Sequence, residues 1–128
     1  FPKYLTAHFE KGYGLRYGEN PHQRGAFYRM LGTSRSATEE RLRGTLAAAE
    51  SLGAGGKELS FNNFVDVQAA LEAVRDLDPA QPSCIVVKHT NPCGAASASS
   101  ISEAYRVARD ADALSAFGGI VALNRPVD

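Results

Sequence analysis

The sequence lacks several features that would each have fixed a class of function. It has no long apolar run: nothing approaches the roughly 20 consecutive apolar residues of a membrane-spanning helix, so no membrane association is expected. The first residues, Phe1 to Glu10, mix Lys3, His8 and Glu10 with apolar side chains and show no secretory leader pattern. Charge of one sign is missing too. Fourteen Lys and Arg offset fourteen Asp and Glu, which points away from nucleic acid or an anionic membrane surface as partner. Cysteine is scarce: Cys84 and Cys93 are too few for a disulfide framework, and a reduced, cytoplasmic setting is expected. No internal repeat or low-complexity tract is visible.

What is present suits a packed core. At 128 residues, with 44% hydrophobic and 22% charged residues, the chain has the length and composition of one ordinary domain. It starts at Phe1 without a methionine and stops at "NRPVD" just after a strand-like segment, so a piece of a longer protein is expected.

Residues 1–24 read as polar and irregular, broken by Gly12, Gly14, Gly18 and Pro21. "AFYRML" (26–31) has the aromatic character of a short strand, and "GTSRSATEERLRG" (32–44) reads as a polar surface loop with one helical turn. In "TLAAAESLGAGGKELS" the alanines favour helix, while Gly53, Gly55 and Gly56 break it. The second half is clearer. Phe64, Val67, Leu71 and Val74 recur at helical spacing after Asn62 or Asn63 as N-cap, and Pro79 and Pro82 end that helix. "CIVVKH" is apolar on both faces and β-branched, as a central parallel strand should be. Ser100-x-x-Glu103 is a capping box opening a helix striped by Ile101, Ala104, Tyr105 and Ala108, and "GGIVAL" is the next strand. Helix, strand, helix, strand predicts an α/β architecture with a parallel pair and a right-handed crossover.

Ligands of open α/β sheets bind beyond the carboxyl ends of the strands, and Lys88 and His89 stand at such an end. Histidine, with an ordinary pKa of about 6.5, accepts a proton at neutral pH. A lysine ammonium stabilises an oxyanion or holds a phosphate, and Asn91 with its loop adds polar groups. The structural alternative is that Lys88 snorkels to solvent and His89 closes the strand through hydrogen bonds. A second cluster, "LRYGENPHQ", gathers Arg16, Tyr17, Glu19, Asn20, His22 and Gln23; its arginine fork suits phosphate or carboxylate, and a plain polar loop is the alternative. In "SAFGGI", Gly118 and Gly119 permit close backbone approach to a ligand or simply make a turn; the Gly-Lys-Ser/Thr end of a P-loop is missing.

A zinc deaminase needs H-x-E and P-C-x-x-C. Here His89 is followed by Thr90-Asn91 and Pro92-Cys93 by Gly94-Ala95-Ala96, so both elements fail and no metal site is expected. Cys84 reads as a small buried hydrophobe and Cys93 as a loop thiol.

Four stretches, "LRYGENPHQ", "KELSFNNFVDVQAALE", "VVKHTNPCG" and "DALSAFGGIVALNRPVD", together closely resemble the bifunctional AICAR transformylase/IMP cyclohydrolase family, from about Phe9 to Asp128 and more loosely over 30–56. Phe61 stands where that family's motif has tyrosine. The resemblance implies a cytidine-deaminase-like layered α/β fold, with a mixed sheet containing parallel strands, present as a partial domain. Residues 1–14 would be the end of a linker from a cyclohydrolase domain, and 15–128 the first part of the transformylase domain. The implied activity is formyl transfer from 10-formyltetrahydrofolate, as co-substrate, to the 5-amino group of AICAR, giving FAICAR, which the cyclohydrolase part of a longer, homodimeric enzyme converts to IMP. By the same resemblance His89 is the proton acceptor and Lys88 the residue polarising the formyl group. His22 is a second catalytic histidine, Arg16 and Tyr17 hold the AICAR phosphate, and Gly118 offers a backbone contact to the nucleotide. Because the family's site draws on residues beyond this chain, the isolated 128 residues are expected not to turn over. The competing expectation is a non-catalytic nucleotide-binding or assembly module.

Overall fold

The computed structural model describes residues 1–53 and 58–127 and divides into two units, Phe1–Phe61 and Asn62–Asp128. In the first unit, "FEKGYG" forms strand β1 (Phe9–Gly14), antiparallel to β2 (Ala26–Met30) in a two-stranded ribbon. β2 falls where its aromatic character placed it. β1 corrects the expectation of an irregular start: glycines that read as breakers lie within the strand, and Gly12 sits at a register shift between Lys11 and Tyr13, as glycines at bulges do. The Tyr13 and Phe27 rings stack across the pair, centroids 5.3 Å apart.

The polar segment expected to be a loop instead holds an eight-residue helix, α1 (Arg35–Leu42). Ser34 caps it, its Oγ accepting the Ala37 N–H at 3.2 Å, and the exposed Arg35–Glu39 pair at 3.0 Å spans one turn. Such local terms are worth a few tenths to about 1 kcal/mol each; the helix buries no residue, and it is also tied to the end of β2 by the Gly32 N–H donating to the Thr38 hydroxyl and by Arg41 on the Met30 sulfur. The alanine segment makes only a 3₁₀ turn, Leu46–Ala48; Gly53 follows at φ +73°, and Gly55 and Gly56 lie outside the described residues.

The second unit is built on the apolar run. α2 (Phe61–Arg75) begins just ahead of the expected asparagine caps. It is followed by β3 (Ser83–Lys88), β4 (Asn91–Ser97), α3 (Ile101–Ala111), a four-residue α4 (Ala113–Ala116) and β5 (Ile120–Leu123). The sheet order is β4-β3-β5. β3 alternates between two covered faces. Ile85 and Val87 pack against Ala70 and Val74 of α2, while Cys84 and Val86 pack against Ala104 and Ala108 of α3. The larger of these side chains, Val74, Ile85, Val86 and Val87, contribute about 1.5–3 kcal/mol each, and the alanines less. Ser100 caps α3, its Oγ accepting the Glu103 N–H at 3.2 Å. The return half of the predicted capping box is absent, because the Glu103 carboxylate instead accepts the Ser99 hydroxyl at 2.7 Å.

The expected parallel neighbours are not found: both β4 and β5 run antiparallel to β3. The cause is the two-residue turn at His89–Thr90, which sends the chain straight back as β4 where a loop was expected. β4 and β5 therefore run in the same direction, but on opposite sides of β3, joined through α3 and α4. The architecture is mixed α/β, with two antiparallel sheets. Among the described residues no helix is long and apolar enough to cross a membrane.

Candidate functional site

In the second unit the candidate residues stand at the end of β3 where its carboxyl terminus meets the turn. Lys88 pairs with Asn91 as the last rung of the β3–β4 ladder, so His89 and Thr90 alone form the turn. Both have left-handed backbone, φ 53° and 64°, as a type I′ hairpin demands. That geometry favours Asn-Gly, and a β-branched threonine there is strained. Three contacts hold it. The Asp66 carboxylate, from α2, accepts the Thr90 N–H at 2.8 Å. The His89 carbonyl accepts the Thr90 hydroxyl at 2.6 Å and the Asn91 amide at 2.8 Å. The backbone of His89 is thus pinned, its side chain is exposed, and no hydrogen bond among the described residues engages the imidazole. The snorkelling-and-capping alternative is half realised, through the main chain and not the ring.

Lys88 shares the face of Val86, toward α3 and α4. Its Nζ donates to the Phe117 carbonyl at 2.8 Å. Asp112 caps α4, accepting the Ser115 N–H at 3.0 Å. Its carboxyl is held below the ordinary range, first by hydrogen bonds from Ser115 and, more weakly, by the Lys88 charge. Gly118, immediately after Phe117, takes φ +75°, and a side-chain carbon there would meet nothing. Its backbone is open to a ligand. Gly119 serves packing instead, since a Cβ would come within 2.8 Å of the Val87 carbonyl. Lys88, Gly118, His89 and Asn91 therefore belong to one end of one sheet. Asp66 was missed in the sequence, because an isolated aspartate carries no signal of a partner 24 residues away; Asp112 was missed although Asp-x-x-Ser is the local signal of a helix cap.

In the first unit Tyr17 is the hub. The Arg16 guanidinium donates to its phenolic oxygen at 3.0 Å and lies over its ring, 4.7 Å from the centroid. Hydrogen bonds from Ser60, first, and Arg16 lower the Tyr17 pKa below its ordinary value. The backbone N–H of Arg16 donates to Leu59 and that of Phe61 to Tyr17, both at 3.1 Å, fixing the pair. The loop beyond closes through Gly18 N–H to the Gln23 carbonyl at 2.9 Å. It brings His22 and Arg16 to the wall of one cleft of about 600 Å³.

Among the described residues no three His, Cys, Asp or Glu side chains gather as a metal-binding group. Cys84 is buried, and burial pushes its thiol pKa up to about 11. Cys93 is half-buried, its Sγ donating to the Val86 carbonyl at 3.5 Å.

A family model described as the AICARFT/IMPCHase bienzyme matches residues 1–128. Three proteins named "Bifunctional purine biosynthesis protein PurH" are similar over the whole chain. They come from Sorangium cellulosum (strain So ce56), at 64% identity over 23% of that protein, Anaeromyxobacter dehalogenans (strain 2CP-C), at 51% over 22%, and Myxococcus xanthus (strain DK1622), at 50% over 23%. The chain spans under a quarter of the length of these curated relatives.

Proposed function

The chain belongs to the AICARFT/IMPCHase bienzyme family, and on that premise we propose that it is part of the formyl-transfer half of a longer bifunctional enzyme of purine biosynthesis. In this reading 1–14 end a linker, and 15–128 begin a homodimer-forming transformylase domain of cytidine-deaminase-like type. The layering of α2 and α3 on the two faces of the sheet is compatible with that fold.

The amine of AICAR is a poor nucleophile, so its proton must leave as the new carbon–nitrogen bond forms. His89 accepts that proton, on a ring that no described residue engages. The bond between the formyl carbon and N10 of the folate breaks, and the folate nitrogen takes up a proton. Negative charge that builds on the formyl oxygen is met by the Lys88 ammonium. Arg16 and Tyr17 hold the phosphate, His22 assists as the second histidine, and Asn91 and the Gly118 backbone contact the nucleotide. The observation that carries the reading is the pair at the end of β3: an exposed His89 on a backbone pinned by Asp66, beside a Lys88 whose ammonium is fixed on the Phe117 carbonyl next to open Gly118. Because so little of the relatives' length is present, the isolated segment binds nucleotide at most and does not turn over.

The test uses the longest protein carrying this sequence. His89→Ala should lower AICAR formylation about a hundredfold, the usual scale for losing a general base, with AICAR binding retained. Unchanged turnover would remove His89 from the chemistry.

A further inference from the structure

α4 is too short to stand on its own. Four residues are far below the length at which a helix persists unaided, and this one buries none of them. The side chains of Leu114 and Phe117 are 88% and 84% exposed, and among the residues of α4 it is Ala116 that packs on the layer between β3 and α3. Hydrogen bonds therefore set the shape of the segment. The Asp112 carboxylate accepts the Ser115 N–H at 3.0 Å, the Asp112 carbonyl accepts the Ala116 N–H at 2.9 Å, and the Ala116 carbonyl accepts the Gly119 N–H at 3.0 Å. Gly119 in turn lies close against the carbonyl of Val87, the residue before Lys88.

What this arrangement delivers is one carbonyl. Phe117 closes the C-terminal end of α4, the end where a cation is favoured, and its carbonyl accepts the Lys88 Nζ at 2.8 Å. An ammonium has three donors. One is used on Phe117, and among the described residues the others have no hydrogen-bond partner. A long, flexible side chain is thus held at its root by β3 and at its tip by α4, with donors left for an oxyanion. Asp112 stands at the opposite end of α4. The Lys88 charge is the weakest of the influences on its carboxyl, so Asp112 reaches Lys88 through the helix it caps and not as an ion-pair partner.

We infer that Asp112 is a positioning residue for this site: by capping α4 it fixes the Phe117 carbonyl that seats the Lys88 ammonium. The inference deepens the formyl-transfer reading and rests on it for what the ammonium then meets, the formyl oxygen.

The experiment uses the longest protein carrying this sequence and compares Asp112→Ala with Asp112→Asn. Asparagine caps a helix as well as aspartate does and carries no charge. Asp112 is exposed, so neither change opens the core. Expected are a kcat for formylation about tenfold lower in Asp112→Ala, as for a misplaced catalytic group, a KM for AICAR within about threefold, and a kcat for Asp112→Asn within about threefold of wild type. Lys88 itself gives a second readout, independent of activity. Trace acetylation with acetic anhydride, read by peptide mass against Lys11 in the same sample, should label Lys88 at least about threefold faster in Asp112→Ala, where the segment opens more often, and at the wild-type rate in Asp112→Asn. Where Lys88→Ala abolishes turnover, an unchanged kcat in Asp112→Ala overturns the inference. Equal losses in the two variants, or unchanged labelling of Lys88, overturn it in any case. If wild type formylates no AICAR, or Lys88→Ala leaves turnover intact, the formyl-transfer reading fails on its own, and the labelling still decides whether Asp112 seats Lys88.

Discussion

The carboxylate of Asp66, on α2, accepts the backbone N–H of Thr90 at 2.8 Å and so ties a helix to the tip of the hairpin that displays His89. The link crosses from one layer of the second unit to another and acts only on main chain, so the imidazole itself stays clear. Asp66→Ala should free the turn. The Thr90 amide should exchange with solvent at least tenfold faster, and formylation by the parent protein should fall by about tenfold through kcat with little change in AICAR affinity. Asp66→Asn keeps an acceptor oxygen and should recover most of both. Should Asp66→Ala and Asp66→Asn lose activity equally, the charge of Asp66 matters and its grip on the turn does not.

The turn itself is conformationally expensive. His89 and Thr90 both hold positive φ, a geometry that costs a non-glycine residue about 1–2 kcal/mol. Strain of this kind gathers where a side chain must be presented in one direction. Thr90→Gly should raise stability by about 0.5–1 kcal/mol once the extra freedom of glycine in the unfolded chain is set against the relieved strain. His89→Asn/Thr90→Gly, which writes the preferred Asn-Gly turn, should melt a few degrees higher and formylate no AICAR. Lower melting temperatures for both variants would mean that the Thr90 hydroxyl bond to the His89 carbonyl outweighs the strain.

The same turn shows where the sequence stopped being legible. β3 and α3 could be read directly, because a β-branched apolar run and a Ser-x-x-Glu cap act through neighbours along the chain. "NPCGAAS" could not. Pro92, Gly94 and the small residues around it signal a loop, and the segment is a strand only because β3 offers it an edge and α3 presses on it from one side. Pro92 is tolerated because β4 is an edge strand. Missing β4 also inverted the expected relation between β3 and β5. For the site, Lys88 and His89 were visible from their place after an apolar strand, and Arg16, Tyr17 and His22 from a dense polar motif. Asp66 gains meaning only through a partner far along the chain, which no local pattern encodes; the cap that Asp112 makes on Ser115 is local, and only its approach to Lys88 is distant.

Gly94 marks where α3 lies hardest on the sheet. A Cβ there would run into the carbonyl of Ala108, and neither backbone can turn aside as a side chain would. Gly94→Ala should destabilise the protein by about 3 kcal/mol, at the upper end of overpacking effects, seen as a lower denaturation midpoint. Gly14→Ala, where a Cβ meets nothing, should stay within about 1 kcal/mol of wild type. A mild Gly94→Ala would show that α3 can shift outward and that the Cys84–Val86–Ala104–Ala108 packing is looser than the structure describes.

Cys84 provides a titration of that same packing. Burial between β3 and α3 raises its thiol pKa from 9.0 to about 11, because the thiolate would have to lose its hydration. The folded pKa lies above the unfolded one. The stability this confers is therefore complete below about pH 9 and lost as the pH rises toward 11, with a slope of at most about 1.4 kcal/mol per pH unit. Tyrosines titrate nearby, so the informative quantity is the difference between wild type and Cys84→Ala. Wild type should lose stability faster than the variant across this window, and the two should run parallel below pH 8.5. Alkylation should follow the same order: Cys93 reacts in the native protein, whereas Cys84 reacts only after denaturant opens the sheet. Identical pH curves for wild type and Cys84→Ala would mean that water reaches the thiol, and the face of β3 beneath α3 would then not be the dry layer that the burial of Cys84 and Val86 describes.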